Sequence, residues 1–269
     1  MDSEAVIKKS TQLGISAFLL RFALYHADTR RQTALYVFPK RKQMYDFADA
    51  RIKAAIMASP YLAGRIPPQS VGNKGLKQIG LGWLYARGSE SKDDLDSVDA
   101  DVLVLDEYDT LNQENIPDAE RRISGSQHPM IRRVGVPSLP GYGIDLLYEK
   151  TDQRRWTVKC GACGERQYLT LRGNVDVEAA TLHCWRCYKA LTPEMVGAGE
   201  WVAKYPDRDV RGYHMPRLIV PGLDLRGICA ASKATLPHEV TVHQNKDLAE
   251  AYAAEEGRLS DEALAGASR

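Results

Sequence analysis

No stretch of this sequence approaches the roughly 20 consecutive apolar residues that a membrane-spanning helix requires. A secretory leader is lacking too: Asp2 and Glu4 precede the first lysine, and no apolar core follows them. Nor is there an excess of charge of either sign. Lys and Arg total 36 against 35 Asp and Glu, a formal net charge of +1, which excludes a global basic field that would draw the chain onto nucleic acid. Any such contact has to come from a local patch or a partner subunit. Internal repeats are absent, and cysteine is scarce. Four of the five cysteines stand in two CxxC pairs. In the cytoplasmic setting these absences imply, that pattern argues for metal ligation rather than a disulfide framework.

What is present suffices for an α/β core and a smaller satellite: 269 residues, of which 44% are hydrophobic. Residues 5–7 make a very short apolar run. Ser16 to His26 carries Phe18, Leu19, Phe22 and Ala23 at helical spacing. Thr33 to Phe38 (TALYVF) is β-branched and aromatic and stops at Pro39, as a buried strand does. Residues 40–58 read as one amphipathic helix with Met44, Phe47, Ile52 and Ile56 on its apolar side. Two apolar runs around Gly80 and Gly82 predict a hairpin over 76–87, Asp101 to Leu105 a buried strand, 114–125 a helix and 131–136 a further strand. Strands alternating with helices at this spacing predict a parallel, three-layer α/β sheet. After residue 152 the texture changes to short strands and turns, until about residue 192. Residues 201–215 and the helix-like 224–235 return to the main domain, and 247–269 is Ala- and Glu-rich, helical or frayed. The expected division is therefore 1–152 as core, 153–192 as an insertion, and 193–269 as a return to the core with a C-terminal tail.

The segment DVLVLDE (101–107) carries the sharpest chemical signal in the core. A buried strand ending in two adjacent acids is what a Walker B element needs. Asp106 at the strand end can hold hydrated Mg²⁺, and Glu107 can orient and deprotonate a water. Strand-acid-acid is also a common surface turn. The partner phosphate loop has one candidate, Lys9-Ser10-Thr11-Gln12-Leu13-Gly14-Ile15-Ser16, directly before the first helix. Against GxxxxGK[ST], Gly14 and Ser16 match the second glycine and the Mg²⁺-binding hydroxyl. Ile15 stands where lysine is expected, and Lys9 where the first glycine is expected.

That departure has a counterpart. KSTQLGIS resembles the deviant Walker A of phage terminase large subunits, in which a lysine at the start of the loop supplies the missing charge. YVFPKRKQMYDFADARI is similar to the strand and helix that follow the phosphate loop in the lambda-type members. LYARGSES and VLVLDEYD resemble the segments up to and including their Walker B. VGVPSLPGYGIDLLYEKTDQRRWTVKCGACGERQ is similar to their coupling motif followed by a zinc-binding pair. The order is kept over nearly the whole chain. The resemblance implies a P-loop NTPase core that uses Mg²⁺-ATP to drive double-stranded DNA into a procapsid, with a terminase small subunit and portal protein as partners and a homo-oligomer at the portal. It assigns Lys9 to the β/γ-phosphates, with Lys8 facing the other way on the strand. Gly14 serves as the loop glycine, Ser16 and Asp106 as Mg²⁺ ligands, and Glu107 as the catalytic carboxylate. Ser138, in Val136-Pro137-Ser138, stands in the coupling motif, where Val136 lacks the expected hydroxyl.

Cys160-x2-Cys163 and Cys184-x2-Cys187, 20 residues apart, match the spacing of a four-cysteine zinc ribbon. Four ligands close the coordination sphere, so the Zn²⁺ is expected to be structural. Gly161 and Gly164 supply turns in the first pair. His183 is a spare candidate ligand, and Cys229 reads as a small core residue. Arg154, Arg155 and Trp156, with Trp185 and Arg186, either touch DNA or cover a small core. Relative to the terminase family, the segment ahead of the phosphate loop and the nuclease after residue 269 are missing, so a fragment, a split gene product or a prophage remnant is expected. The acids Glu255, Glu256 and Asp261 read as a solvated face. Two other readings are a superfamily 2 helicase-like ATPase with a zinc ribbon, and a truncated, non-catalytic chain.

Overall fold

A computed structural model describes residues 3–67, 70, 72–96 and 98–254. The chain divides into two compact units. The first comprises Met1–Val6 and Gly14–Gly135, the second Ile7–Leu13 and Val136–Arg269. The first strand, β1 (Glu4–Lys9), thus contributes residues to both.

In the first unit, β2 (Thr33–Phe38), β3 (Leu76–Ile79), β4 (Gly82–Gly88), β5 (Val102–Leu105) and β6 (Met130–Gly135) lie in the order β6-β5-β2-β4-β3. The pairs β2–β4, β2–β5 and β5–β6 are parallel, and only β3 runs antiparallel, to β4. Parallel strands are covered on both faces, so they need unbroken apolar runs. β5 is buried at every residue, and β2 at every residue but Thr33. β4 instead alternates buried with half-buried residues. The predicted hairpin is β3–β4, turning through Gly80 at φ +61°.

Helix α1 (Ile15–Thr29) buries Leu19, Leu20, Ala23, Leu24 and Ala27 and packs on β2 and β4. Phe18, expected on its apolar side, is exposed; the buried stripe starts one residue later. The single helix predicted over 40–58 is interrupted. α2 (Arg41–Phe47) passes through a π-helical turn, Ala48–Ile52, into α3 (Lys53–Met57). Met44, Ala48 and Ile52 are the buried residues. A spacing of four keeps them on one side of the helix, and the wider π-turn offsets the drift that this spacing accumulates in a regular α-helix. Phe47 and Ile56 are left half-buried.

In the second unit β7 (Arg154–Lys159) is central. It pairs parallel with β12 (Arg211–Met215) and antiparallel with β8 (Arg166–Tyr168) and β11 (Glu200–Val202). A two-residue hairpin, β9 (Val175–Asp176) with β10 (Thr181–Leu182), stands apart from this sheet. The Cys-rich segment has no core of its own. Val158, Leu169, Cys184 and Leu191 are buried in one cluster with Leu218, Ile228 and Cys229 from later in the chain. Cys229 is the small core residue its context suggested. Residues 247–254 are not helical, and Glu255, Glu256 and Asp261 lie outside the described residues. Among the described residues no helix is long and apolar enough to cross a membrane.

The tightest constraint on the first unit is at Gly82, where β4 begins beside the end of α1. A Cβ there would collide with the Ala27 carbonyl and sit 2.6 Å from the Gln32 carbonyl oxygen. Both obstacles are backbone, so neither can swing aside. Gly82→Ala is expected to cost about 3 kcal/mol, measured as a lower urea midpoint at unchanged slope.

Candidate functional site

Strand β5 delivers the acid pair. Asp106, the residue after its last paired position, is 3% exposed. Both carboxylate oxygens are engaged: Oδ1 accepts the Glu107 backbone N–H at 3.0 Å, and Oδ2 accepts the Tyr36 hydroxyl at 2.7 Å. Ser16 stands half-buried at the start of α1. Burial, followed by the charge of Asp106, holds the Tyr36 pKa well above its ordinary value.

Glu107 sits in the left-handed region, φ +54° and ψ +47°, a conformation that costs a non-glycine residue on the order of 1 kcal/mol. Its carbonyl accepts the Thr110 hydroxyl at 2.8 Å and the Thr110 N–H, and Gln43 Nε2 donates to its carboxylate at 3.4 Å. The reversal of the chain turns Glu107 outward while Asp106 stays buried. Adjacent acids thereby acquire different surroundings.

The helix that carries Ser16 opens without a cap. Gly14 is left-handed (φ +74°), no side chain caps it, and the first turn holds no acid. Among the described residues, therefore, neither a capping side chain nor a first-turn acid answers its first N–H groups, the setting in which helix N-termini take anions. Before it, Gln12 is also left-handed. These two residues curl the chain between β1 and α1.

In the second unit, the early part of the loop is pinned by backbone bonds. Ser10 N–H donates to the Met215 carbonyl at 2.9 Å, and Thr11 donates to the Lys246 carbonyl through N–H at 2.9 Å and through its hydroxyl at 3.2 Å. Ser10 is fully buried, Gln12 exposed, and Thr11 and Leu13 half-buried. Lys9 is half-buried at the end of β1, and Lys8 closes a run of four buried residues, Ala5 to Lys8. Lys8 Nζ pairs with Asp145 at 3.0 Å and Glu250 at 3.5 Å, over the Tyr148 ring at 5.0 Å. Nearby His214 is held neutral; burial, then the charge of Lys8, push its pKa down to about 3. Lys8 is thus a structural cation, which sequence reading had treated only as the residue facing away from Lys9. Ser138 is half-buried, and its carbonyl accepts the Asn245 amide at 2.9 Å.

The four paired cysteines converge. Their sulfur atoms all lie within 4.8 Å of one another, with Cys160–Cys187 at 3.8 Å and Cys163–Cys184 at 3.7 Å. A tetrahedron with metal–sulfur bonds of about 2.3 Å has edges of about 3.8 Å, so this donor set fits one ion held by four thiolates. The two knuckles repeat one backbone pattern. Cys160 N–H donates to Glu165 and Gly164 N–H back to Cys160; Cys184 N–H donates to Lys189 and Tyr188 N–H back to Cys184. The left-handed corner is Gly164 in one and Tyr188 in the other, so only the first carries the glycine signal. Gln167 Nε2 donates to Cys184 Sγ at 3.2 Å, and its Oε1 accepts from Asn174 and Trp185. Burial opposes ionisation of Cys184, but the Cys187 N–H and Gln167 outweigh it and bring the thiol down to about 6.

His183 stacks on Tyr188 and is not among the clustered ligands. Trp156 is structural: it donates to the Val196 carbonyl at 2.8 Å and meets Trp201 edge-on. Arg154 pairs with fully buried Asp152, Arg155 lies over Tyr168, and Arg186 pairs with Glu165. Trp185 and Arg186 are the exposed members of the aromatic-basic group, and the other three are half-buried. The residue that sequence reading missed at the acid pair is Tyr36. The one available signal was a hydroxyl inside an otherwise apolar buried run.

Residues 3–202 match the family described as phage terminase large subunit gpA, ATPase domain. Among solved structures, the large terminase ATPase domain of Thermus phage P74-26 is 12% identical with a TM-score of 0.56, covering 94% of this chain and 90% of that one. The HK97 bacteriophage large terminase is 11% identical with a TM-score of 0.59, covering 93% of this chain and 47% of that one. The chain thus spans about half the length of the HK97 protein. At these identities the likeness is one of fold. Comparison with curated proteins finds no match.

Purified protein is expected to contain one metal ion per chain, and Cys160→Ser less than one. Chelation is expected to strip hydrogen-exchange protection from residues 154–192 before it reaches β2 and β5. Substoichiometric metal that Cys160→Ser leaves unchanged is the opposing result.

Proposed function

Because the chain belongs to the family of phage terminase large subunit gpA ATPase domains, we propose that it is the ATP-hydrolysing motor of viral DNA packaging, coupling Mg²⁺-ATP hydrolysis to movement of double-stranded DNA into a procapsid. The observation that carries this reading is the buried Asp106 carboxylate just past β5, held by the Tyr36 hydroxyl and the Glu107 N–H, in the same unit as the uncapped helix that begins with Ile15 and Ser16. A carboxylate and a hydroxyl are the hard oxygen donors a Mg²⁺ site takes, and an uncapped helix start suits phosphate.

Ser16 and Asp106 would hold the ion, which would supply positive charge to the nucleotide's phosphates. Glu107 orients a water for attack on the γ-phosphorus and takes its proton, and the bond to the β–γ bridging oxygen breaks to leave ADP. Its exposed, left-handed position leaves the carboxylate reachable by water, while Gln43 limits its swing. Backbone amides of Ser10 to Ile15 line the phosphates, and Lys9 supplies the charge that Ile15 lacks. Ser138 couples γ-phosphate loss to the rest of the chain. We place a structural Zn²⁺ on Cys160, Cys163, Cys184 and Cys187, within an insertion at 153–192 between the ATPase core 1–152 and its continuation at 193–269. DNA, a terminase small subunit, a portal protein and further copies of the chain are the partners that family membership suggests.

Turnover measured with and without duplex DNA tests this reading. Glu107→Gln is expected to keep Mg²⁺-ATP binding and to lower hydrolysis about a hundredfold or more. Equal turnover in variant and parent would reduce the acid pair to a surface turn, and a parent that neither binds nor hydrolyses ATP would favour the non-catalytic reading.

The two lysines are expected to separate. Lys9→Ala removes a charge-assisted phosphate contact of roughly 1.5–3 kcal/mol, a tenfold to hundredfold loss of nucleotide affinity. Lys8→Ala leaves Asp145 buried without its cation and is expected to cost about 3–5 kcal/mol of stability instead. Thermal unfolding and nucleotide titration of both variants distinguish these outcomes, and an unchanged affinity in Lys9→Ala would refute the displaced-lysine assignment.

A further inference from the structure

Strand β8 exposes Arg166 and Tyr168 and buries Gln167 between them, as strand alternation requires. Gln167 is 4% exposed. Its cross-strand partner Val158 and its near neighbour Leu169 both belong to the core of the second unit. An apolar side chain would suit such a position, because an amide buried there has to be desolvated. Its role therefore lies in what it bonds.

The orientation of that amide is fixed by groups that can only donate. The Trp185 N–H meets it at 3.0 Å, so the atom facing Trp185 is the oxygen, Oε1. Asn174 Nδ2 makes a second contact to Oε1 at 2.7 Å. Asn174, also buried, is unambiguous in its turn. Its Oδ1 accepts the Thr170 N–H at 3.0 Å, and its Nδ2 also donates to the His183 carbonyl at 3.1 Å. A flip of either amide would set N–H against N–H or oxygen against oxygen. With Oε1 committed, Nε2 is the atom that points at Cys184 Sγ, 3.2 Å away. Two backbone N–H groups thus dictate that this sulfur receives a hydrogen bond. Asn174 also ties down the chain that leads into the second knuckle, because its carbonyl accepts the His183 N–H at 2.8 Å.

We propose that Gln167 is a positioning residue for the metal centre: its N–H holds the Cys184 thiolate at one corner of the tetrahedron and draws charge from the sulfur, while Asn174 and the Trp185 N–H keep the amide aimed. This rests on the reading of the four cysteines as the Zn²⁺ ligands and adds the residue that orients one of them. A donor to a ligating atom both fixes its direction and tunes its bond to the metal. Cys184 is fully buried, so water does not compete for the place of that donor. Gln167 itself does not touch the metal.

The test is the absorption spectrum of the full chain loaded with cobalt(II) in place of Zn²⁺. Loss of the N–H raises the energy of the sulfur lone pairs. The sulfur-to-cobalt charge-transfer band of Gln167→Met is therefore expected at lower energy than in the parent, with the d–d bands of a four-thiolate tetrahedron unmoved. The ion is expected to pass to a competing chelator at about tenfold to hundredfold lower chelator concentration. Gln167→Glu keeps the side-chain length and the acceptor that Trp185 and Asn174 use, and is expected to shift the band the same way. Leu169→Ala, which opens the same core and leaves the amide in place, is expected to lower thermal stability without moving the band. An unmoved band in either Gln167 variant that takes up cobalt, or an equal shift in Leu169→Ala, overturns the positioning role while the metal reading stands. If neither Gln167 variant takes up cobalt, normal loading of Leu169→Ala supports the role and its failure overturns it. A parent without a four-thiolate cobalt spectrum overturns both the role and the reading beneath it.

Discussion

Four residues, Val102 to Leu105, are buried at every position between two parallel neighbours, and the chemistry of the first unit depends on that burial. A strand closed on both faces has no room for a charged side chain along its length. Its first tolerable position for a carboxylate is the one just past the sheet, where ligands of open α/β sheets bind. Asp106 takes that position, and the chain then reverses through a left-handed Glu107. Burial of the strand and exposure of the second acid are thus two consequences of one packing constraint.

The same constraint explains why a polar group was needed inside the core. Asp106 is itself buried, and a buried carboxylate is tolerated only with hydrogen-bond donors around it. One is local, the Glu107 N–H. The other comes from β2, which lies in register beside β5 with Tyr36 opposite Val104 and reaches the carboxylate with its phenol. That one hydrogen bond both satisfies the buried carboxylate and fixes its orientation.

In the second unit the organising element is the cluster of four cysteines. Its knuckles close the same way, although one has glycine at the left-handed corner and the other Tyr188. Backbone N–H to carbonyl bonds close each knuckle around Cys160 and Cys184, and the Gln167 amide donates to the Cys184 sulfur. The surrounding core is shared with residues as late as Leu248, because so short a segment cannot bury enough apolar surface by itself.

Much was legible in the sequence because local rules dominate there. TALYVF and VLVL are continuous apolar runs of strand length, the acid pair follows one of them directly, and the CxxC pairs carry their spacing on their face. The π-turn at Ala48–Ile52 was not legible, since a register change of one residue depends on which side chains the neighbouring sheet accepts. Lys8 and Lys9 are adjacent identical residues, and only packing against Asp145 and Tyr148 makes one of them structural. Tyr36 looked like any core aromatic. The sequence by itself determined where the buried strands, the acids and the thiols occur, because those follow from periodicity and spacing. Which hydroxyl meets which carboxylate was decided by the tertiary structure alone, since Tyr36 and Asp106 lie far apart along the chain and meet only where the parallel strands β2 and β5 run side by side.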